Sequence, residues 1–151
     1  MKHILPFILL IAMLAAACHN ETTVNRSDTE IRTALPDKSC MNRVIALDDS
    51  LGKVRNHATE REPMSQVIRA YAAAMQEINY SNCPEEFREA FEKHRQAWLD
   101  MTAVTDRHQE MRGEMHALFD RLKASEDSVR FKVYLDKIWS TWAEVEKAMS
   151  E

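Results

Sequence analysis

Residues 101–116 read MTAVTDRHQEMRGEMH and hold three methionines and two histidines. Thioether sulfur and imidazole nitrogen are ligands that a soft metal such as Cu(I) accepts. His108 and Met111 are three apart, and Met111 and Met115 four apart, so each pair shares a helix face and could chelate. His108 and Met115 are about 10.5 Å apart along a helix axis and cannot share one ion. A closed site would need ligands from a second helix, and the segment after residue 124 contains neither histidine nor cysteine. His57 counts to a level about two turns from His108, and His116 projects from another face. The stretch therefore reads as core. Met101, Met111 and Met115 fill irregular space, and His108 is a polar exception bonded to a carbonyl, a carboxylate or water. Neither a metal nor a cofactor is expected.

A second constellation lies nearby. His94 and Trp98 are four apart on one helical face, and Trp142 lies in the last helical segment. His94, Trp98 and Trp142 are the candidate ligand-binding residues, provided that the last helix packs low against the one before it. The competing reading is an aromatic core with one satisfied histidine. Catalytic groupings are missing: there is no HExxH, no Ser-His-Asp set and no glycine-containing nucleophile loop. Glu144 and Glu146 are two apart and point to different faces. Glu85 and Glu86 sit at a helix start, where they complement its dipole. No enzyme is expected.

These residues must be held by helices. Glycine occurs twice and proline four times in 151 residues. So few breakers among so many helix formers predict an all-α fold. Two isolated glycines, Gly52 and Gly113, also exclude a glycine-rich phosphate loop. A first helix is expected from Cys40 to Arg61, with stripe Val44, Leu47, Leu51, Val54 and Ala58. Pro63 to Tyr80 gives a second, with stripe Met64, Ile68, Tyr71, Met75 and Ile78. Asn82 and Glu85 have capping-box spacing before a third. From Phe87 to Leu122 the apolar seats keep one heptad phase, which predicts a single continuous helix from Pro84 to Lys123, about 58 Å long. The fourth runs to Met149, with stripe Phe131, Leu135, Ile138, Trp142, Val145 and Met149. The expected architecture is four main helices, two antiparallel hairpins sharing a long third helix in an elongated bundle. The second hairpin turns near residue 124.5, so facing residues should have numbers adding to about 249.

A straight third helix would leave a two-helix arm. Met111, Met115, Leu118, Phe119, Phe131 and Tyr134 would then be offered to a second copy or a protein partner. The other solution is a sharp bend near Thr105–Asp106 or Gly113 that folds everything into one bundle. The unbroken phase favours the arm. Cys40 and Cys83 give a further constraint. Their midpoint falls on Arg61–Glu62, the first turn, so a hairpin brings them side by side, and a structural disulfide is expected.

The N-terminus reads MKHILPFILLIAMLAAACHNE. A charge at Lys2, an apolar run and small residues make a signal peptide over residues 1–17, too short for a permanent span. Leu14-Ala15-Ala16-Ala17-Cys18 resembles the lipobox of bacterial lipoproteins. That resemblance implies lipidation at Cys18, including palmitate, after cleavage before it. His19 at the second mature position, rather than aspartate, points to the outer membrane, facing the periplasm. Residues 18–37 are then the lipidated cysteine and a flexible tether, and 38–151 the helical domain. Removing residues 1–17 takes away one charge, Lys2, so 20 basic residues become 19 against 24 acidic, a balance of −5. That balance disfavours nucleic acid, which rewards basic patches. CPEEFREAFEKHRQAW, residues 83–98, and STWAEVEKA, residues 140–148, are similar to segments of secreted and lipoprotein helical domains of no known activity.

These readings together give a lipid-anchored helical module of the cell envelope that contacts another protein. The alternative is a small-ligand or metal-binding envelope protein. Replacing Cys18 with serine should abolish labelled-palmitate incorporation and release the protein from membranes. Unchanged labelling would reject lipidation at that residue.

Overall fold

The computed structural model describes residues 38–151. Cys18 and the signal and tether segments lie outside the described residues. The regular elements of the described part are all helical: α1 (Lys38–Ala58), α2 (Met64–Gln76), α3 (Glu85–Asp100), α4 (Thr102–Thr105), a 3-10 turn (Asp106–His108), α5 (Met115–Lys123) and α6 (Ser128–Ser150). Among the described residues there is no strand, and no helix is long and apolar enough to cross a membrane.

α3 is the centre. Phe87, Ala90, Phe91, His94, Ala97 and Trp98 recur at helical spacing and are all buried. α2 covers one side of α3 and α6 lies along another. α1 packs on α2, and the Cys40–Cys83 disulfide ties its start to the turn before α3, with Cα atoms 5.4 Å apart. Closing a loop of that length contributes about 4 kcal/mol in the chain-entropy model. The turn before α3 differs from expectation. Pro84, not a capping box, precedes the helix, with no side-chain cap bond.

The continuous third helix is the main correction. Helical backbone ends in the turn Asp106–His108 and resumes only at Met115. Two backbone hydrogen bonds hold the intervening loop. The Met64 N–H donates to the Met111 carbonyl at 3.0 Å, and the Gly113 N–H donates to the Thr59 carbonyl at 2.8 Å. These bonds satisfy an N–H at the start of α2 and a carbonyl just past α1, groups that a helix end leaves without partners. Gly113 has φ +142°, a conformation that L side chains rarely adopt. Glu114 then caps α5 by accepting from the Ala117 N–H at 3.0 Å. Arg69 on α2 clasps Asp106 with two hydrogen bonds, fixing the 3-10 turn from the other side.

The break turns the chain back, so α6 runs down along α3. Lys93 meets Glu144, His94 meets Thr141, and Asp100 meets Lys137. Facing numbers therefore add to 235–237 instead of 249. The shift of about twelve residues corresponds to about 18 Å along the axis. No bare arm results. Met111, Met115, Leu118 and Phe131 are buried within the chain, and Phe119 and Tyr134 are partly buried against them. Phe119 and Phe131 pack edge to face, centroids 5.3 Å apart.

α1 is rotated relative to its apolar stripe. Val44 is buried as expected, but Leu47 is 44% and Val54 65% exposed, while Asp48 is only 7% exposed. Gly113→Ala should lower stability by about 1–3 kcal/mol, because alanine must hold a conformation open mainly to glycine. Urea unfolding measures this, and an unchanged midpoint would show that the loop does not depend on that geometry.

Candidate functional site

The lowered α6 leaves a cleft of about 370 Å³. One wall is α1, with Asp48, Gly52 and Arg55; the other is α6, with Ile138, Trp139 and Trp142. Tyr71 from α2 and His94 and Trp98 from α3 form the floor, and all three are buried. The three residues singled out from sequence, His94, Trp98 and Trp142, therefore come together in one place. The His94 ring lies 5.2 Å from that of Trp142 and 6.4 Å from that of Trp98, centroid to centroid.

His94 is fully engaged. The Trp98 indole N–H donates to His94 Nε2 at 3.1 Å. Nε2 is thus an acceptor, the proton sits on Nδ1, and Nδ1 faces Thr141 Oγ1 at 3.1 Å. The Thr141 hydroxyl passes the chain on to the Lys137 carbonyl at 2.9 Å. Burial, reinforced by the nearby Arg55 charge, pushes the imidazole down to about 4. The ring is neutral at neutral pH, with both nitrogens occupied, so its part here is to fix Trp98 and the α3–α6 spacing.

Sequence reasoning missed the charged wall. Tyr71 donates its hydroxyl proton to Asp48 Oδ1 at 2.7 Å. Burial raises the Asp48 carboxyl above its ordinary value, against the Tyr71 hydrogen bond and Arg55, which lower it. Burial pushes the Tyr71 phenol strongly up as well. The Arg55 guanidinium lies 4.0 Å from the Trp98 ring centroid and 4.5 Å from that of Tyr71, while those rings meet edge to face at 5.4 Å. Its Nε and Nη2 donate to Asn56 Oδ1 at 3.2 and 3.1 Å. Cation–ring attraction in such a corner holds a guanidinium in one orientation. Burial lowers its affinity for a proton somewhat.

Asp48, Gly52 and Arg55 stand at i, i+4 and i+7, one face of α1. A Cβ added at Gly52 would meet only Arg55 Nη2, at 3.7 Å. A glycine inside a helix costs about 1 kcal/mol relative to alanine, yet here it leaves a notch between two charges. The signal legible in sequence was that spacing, together with two charges in phase with buried Met41 and Val44. Trp139, 62% exposed, forms the rim.

The methionine and histidine stretch is divided. His108 Nε2 and Arg107 Nε both contact Asp127, at 3.1 and 2.8 Å, tying the 3-10 turn to the start of α6. His116 pairs with Glu114 at 2.6 Å on the surface, and His57 lies exposed beside Glu60. Met101, Met111 and Met115 are interior. Among the described residues, no three His, Cys, Asp or Glu side chains gather as a metal-binding group.

No family model, curated protein or solved structure matches the chain.

The His94 geometry fixes a pH dependence. Unfolded histidine titrates near 6.5 and folded His94 near 4. Between these values the unfolded chain binds a proton that the fold excludes. The contribution is therefore complete above about pH 6.5 and is lost as pH falls towards 4, by about 3 kcal/mol in total. Asp48 acts in the opposite sense, so the comparison needs a variant. Wild type should lose more stability than His94→Gln between pH 7 and 4.5 in urea titrations, and parallel pH profiles would contradict a neutral buried His94.

Proposed function

We propose that the chain is a lipid-anchored binding protein of the bacterial cell envelope, with the cleft between α1 and α6 as its ligand site. The observation that carries this reading is the cleft itself. Its floor is buried and hydrogen-bonded, its rim is an exposed tryptophan, and one wall has a glycine where a helix gains stability from a side chain. Small-molecule sites combine apolar and aromatic walls with a few fixed polar groups. The Leu14–Cys18 segment supports the anchored, periplasm-facing location. With both His94 nitrogens occupied, binding fits the geometry better than turnover.

A second reading, contact with a protein partner, is favoured by exposed apolar side chains. Leu47 and Val54 on α1 and Val129 and Val133 on α6 are all open to solvent. They replace the arm residues Met111, Met115, Leu118, Phe119, Phe131 and Tyr134 as the surface available to a partner or a second copy.

Gly52 separates the two readings. Gly52→Ala should raise stability by about 0.5–1 kcal/mol, and Gly52→Leu should fill the notch while the fold persists. The three tryptophan indole signals in a proton–nitrogen NMR spectrum report on the cleft directly. An envelope extract of small molecules should shift them in wild type and not in Gly52→Leu. Indole signals that stay fixed in wild type would leave the partner reading.

A further inference from the structure

Asp48 and Arg55 are opposite charges on one wall of the cleft, partly withdrawn from water, and the hydrogen bonds of each go to a neutral partner. Asp48 is 7% exposed and is bonded by the Tyr71 hydroxyl. Arg55 is bonded to the Asn56 amide oxygen and held against two rings. Withdrawing charges from water is costly unless a counter-charge arrives with good geometry. Asp49 and Lys53, also on this wall, neutralise one another at 2.7 Å. Asp48 and Arg55 offset one another only in part and without a direct hydrogen-bonded pair, one anionic and one cationic group on either side of the gap at Gly52. Across the gap stand Trp139 and Trp142, which suit an apolar body.

From this arrangement we infer that the ligand is a small zwitterion with an apolar or aromatic body, of the amino-acid or short-peptide class. This rests on the cleft being the ligand site. The ligand ammonium meets Asp48, its carboxylate meets the Arg55 fork, and its side chain lies against Trp139 and Trp142. The guanidinium plane matches a carboxylate in shape, which a lysine would not. Asp48 can accept from an ammonium while keeping the Tyr71 bond, since a carboxylate has several acceptor positions. A ligand with a single charge adds a direct ionic partner to only one wall group, and a neutral sugar to neither.

The test is calorimetry and indole NMR on the full chain in detergent, with five probes. L-phenylalanine and the dipeptide phenylalanyl-alanine carry both charges. Phenylpropionate lacks the ammonium, phenethylamine lacks the carboxylate, and maltose is neutral. At least one zwitterion should bind at least tenfold more tightly than either single-charge analogue, and more tightly than maltose. The dipeptide against the free amino acid then separates the two sources. Asp48→Asn should erase the preference for L-phenylalanine over phenylpropionate, and Arg55→Gln the preference over phenethylamine, with circular dichroism unchanged. If a single-charge analogue or maltose binds as well as the zwitterions, the ligand class is wrong and the cleft reading stands. If no probe binds but the envelope extract moves the wild-type indoles, the class is again wrong. If neither moves them, the ligand class and the cleft reading both fall.

Discussion

Two backbone hydrogen bonds across the 109–114 loop, Gly113 to Thr59 and Met64 to Met111, govern the rest of the molecule. They join the far loop to the turn between α1 and α2, so the chain cannot continue straight past α3. Once it turns, α5 is short and α6 descends along α3. The core closes on itself, and the methionines that would have faced a partner face Leu118, Leu122 and Phe131 within one cluster. Ion pairs at the surface follow this register and do not set it, because exposed pairs contribute little.

The same register produces the cleft. α6 reaches α3 at the level of His94, and Thr141 completes the hydrogen-bond chain that keeps Trp98 in place. Trp98 then supplies one of the two rings that hold Arg55. Each step depends on the one before: loop geometry sets helix register, register sets the histidine's partners, and the fixed indole sets the position of the arginine. Gly52 leaves the remaining space open.

Much of this was legible in sequence and some was not. Cys40 and Cys83 were paired by counting from the Arg61–Glu62 turn, because a tight hairpin fixes height. α3 was legible from Phe87 through Trp98, because its buried face repeats at helical spacing. The break after His108 was hidden. Met101, Met111 and Met115 are buried on both sides of it, so the apolar phase survives a loop that ends the helix. Gly113 and the β-branched Thr102 and Thr105 were the local warnings, and periodicity outweighed them. The face of α1 misled for a different reason. Leu47 and Val54 extend the apolar stripe of Val44, and only tertiary packing turns Asp48 and Arg55 inward. Charged residues that line a site break the pattern from which burial is read, so the site was the least visible part of that helix.

The most direct test of the account is a zero-length carbodiimide cross-link between Lys93 and Glu144, whose charged atoms are 3.1 Å apart. Mass spectrometry of the digested, cross-linked protein should recover peptides joined by an amide between these two residues, because α6 lies low on α3. In a straight third helix Glu144 would stand level with about residue 105, about 18 Å from Lys93 along the axis. Glu144 cross-linked near that level and never to Lys93 would contradict both the register and the cleft built on it.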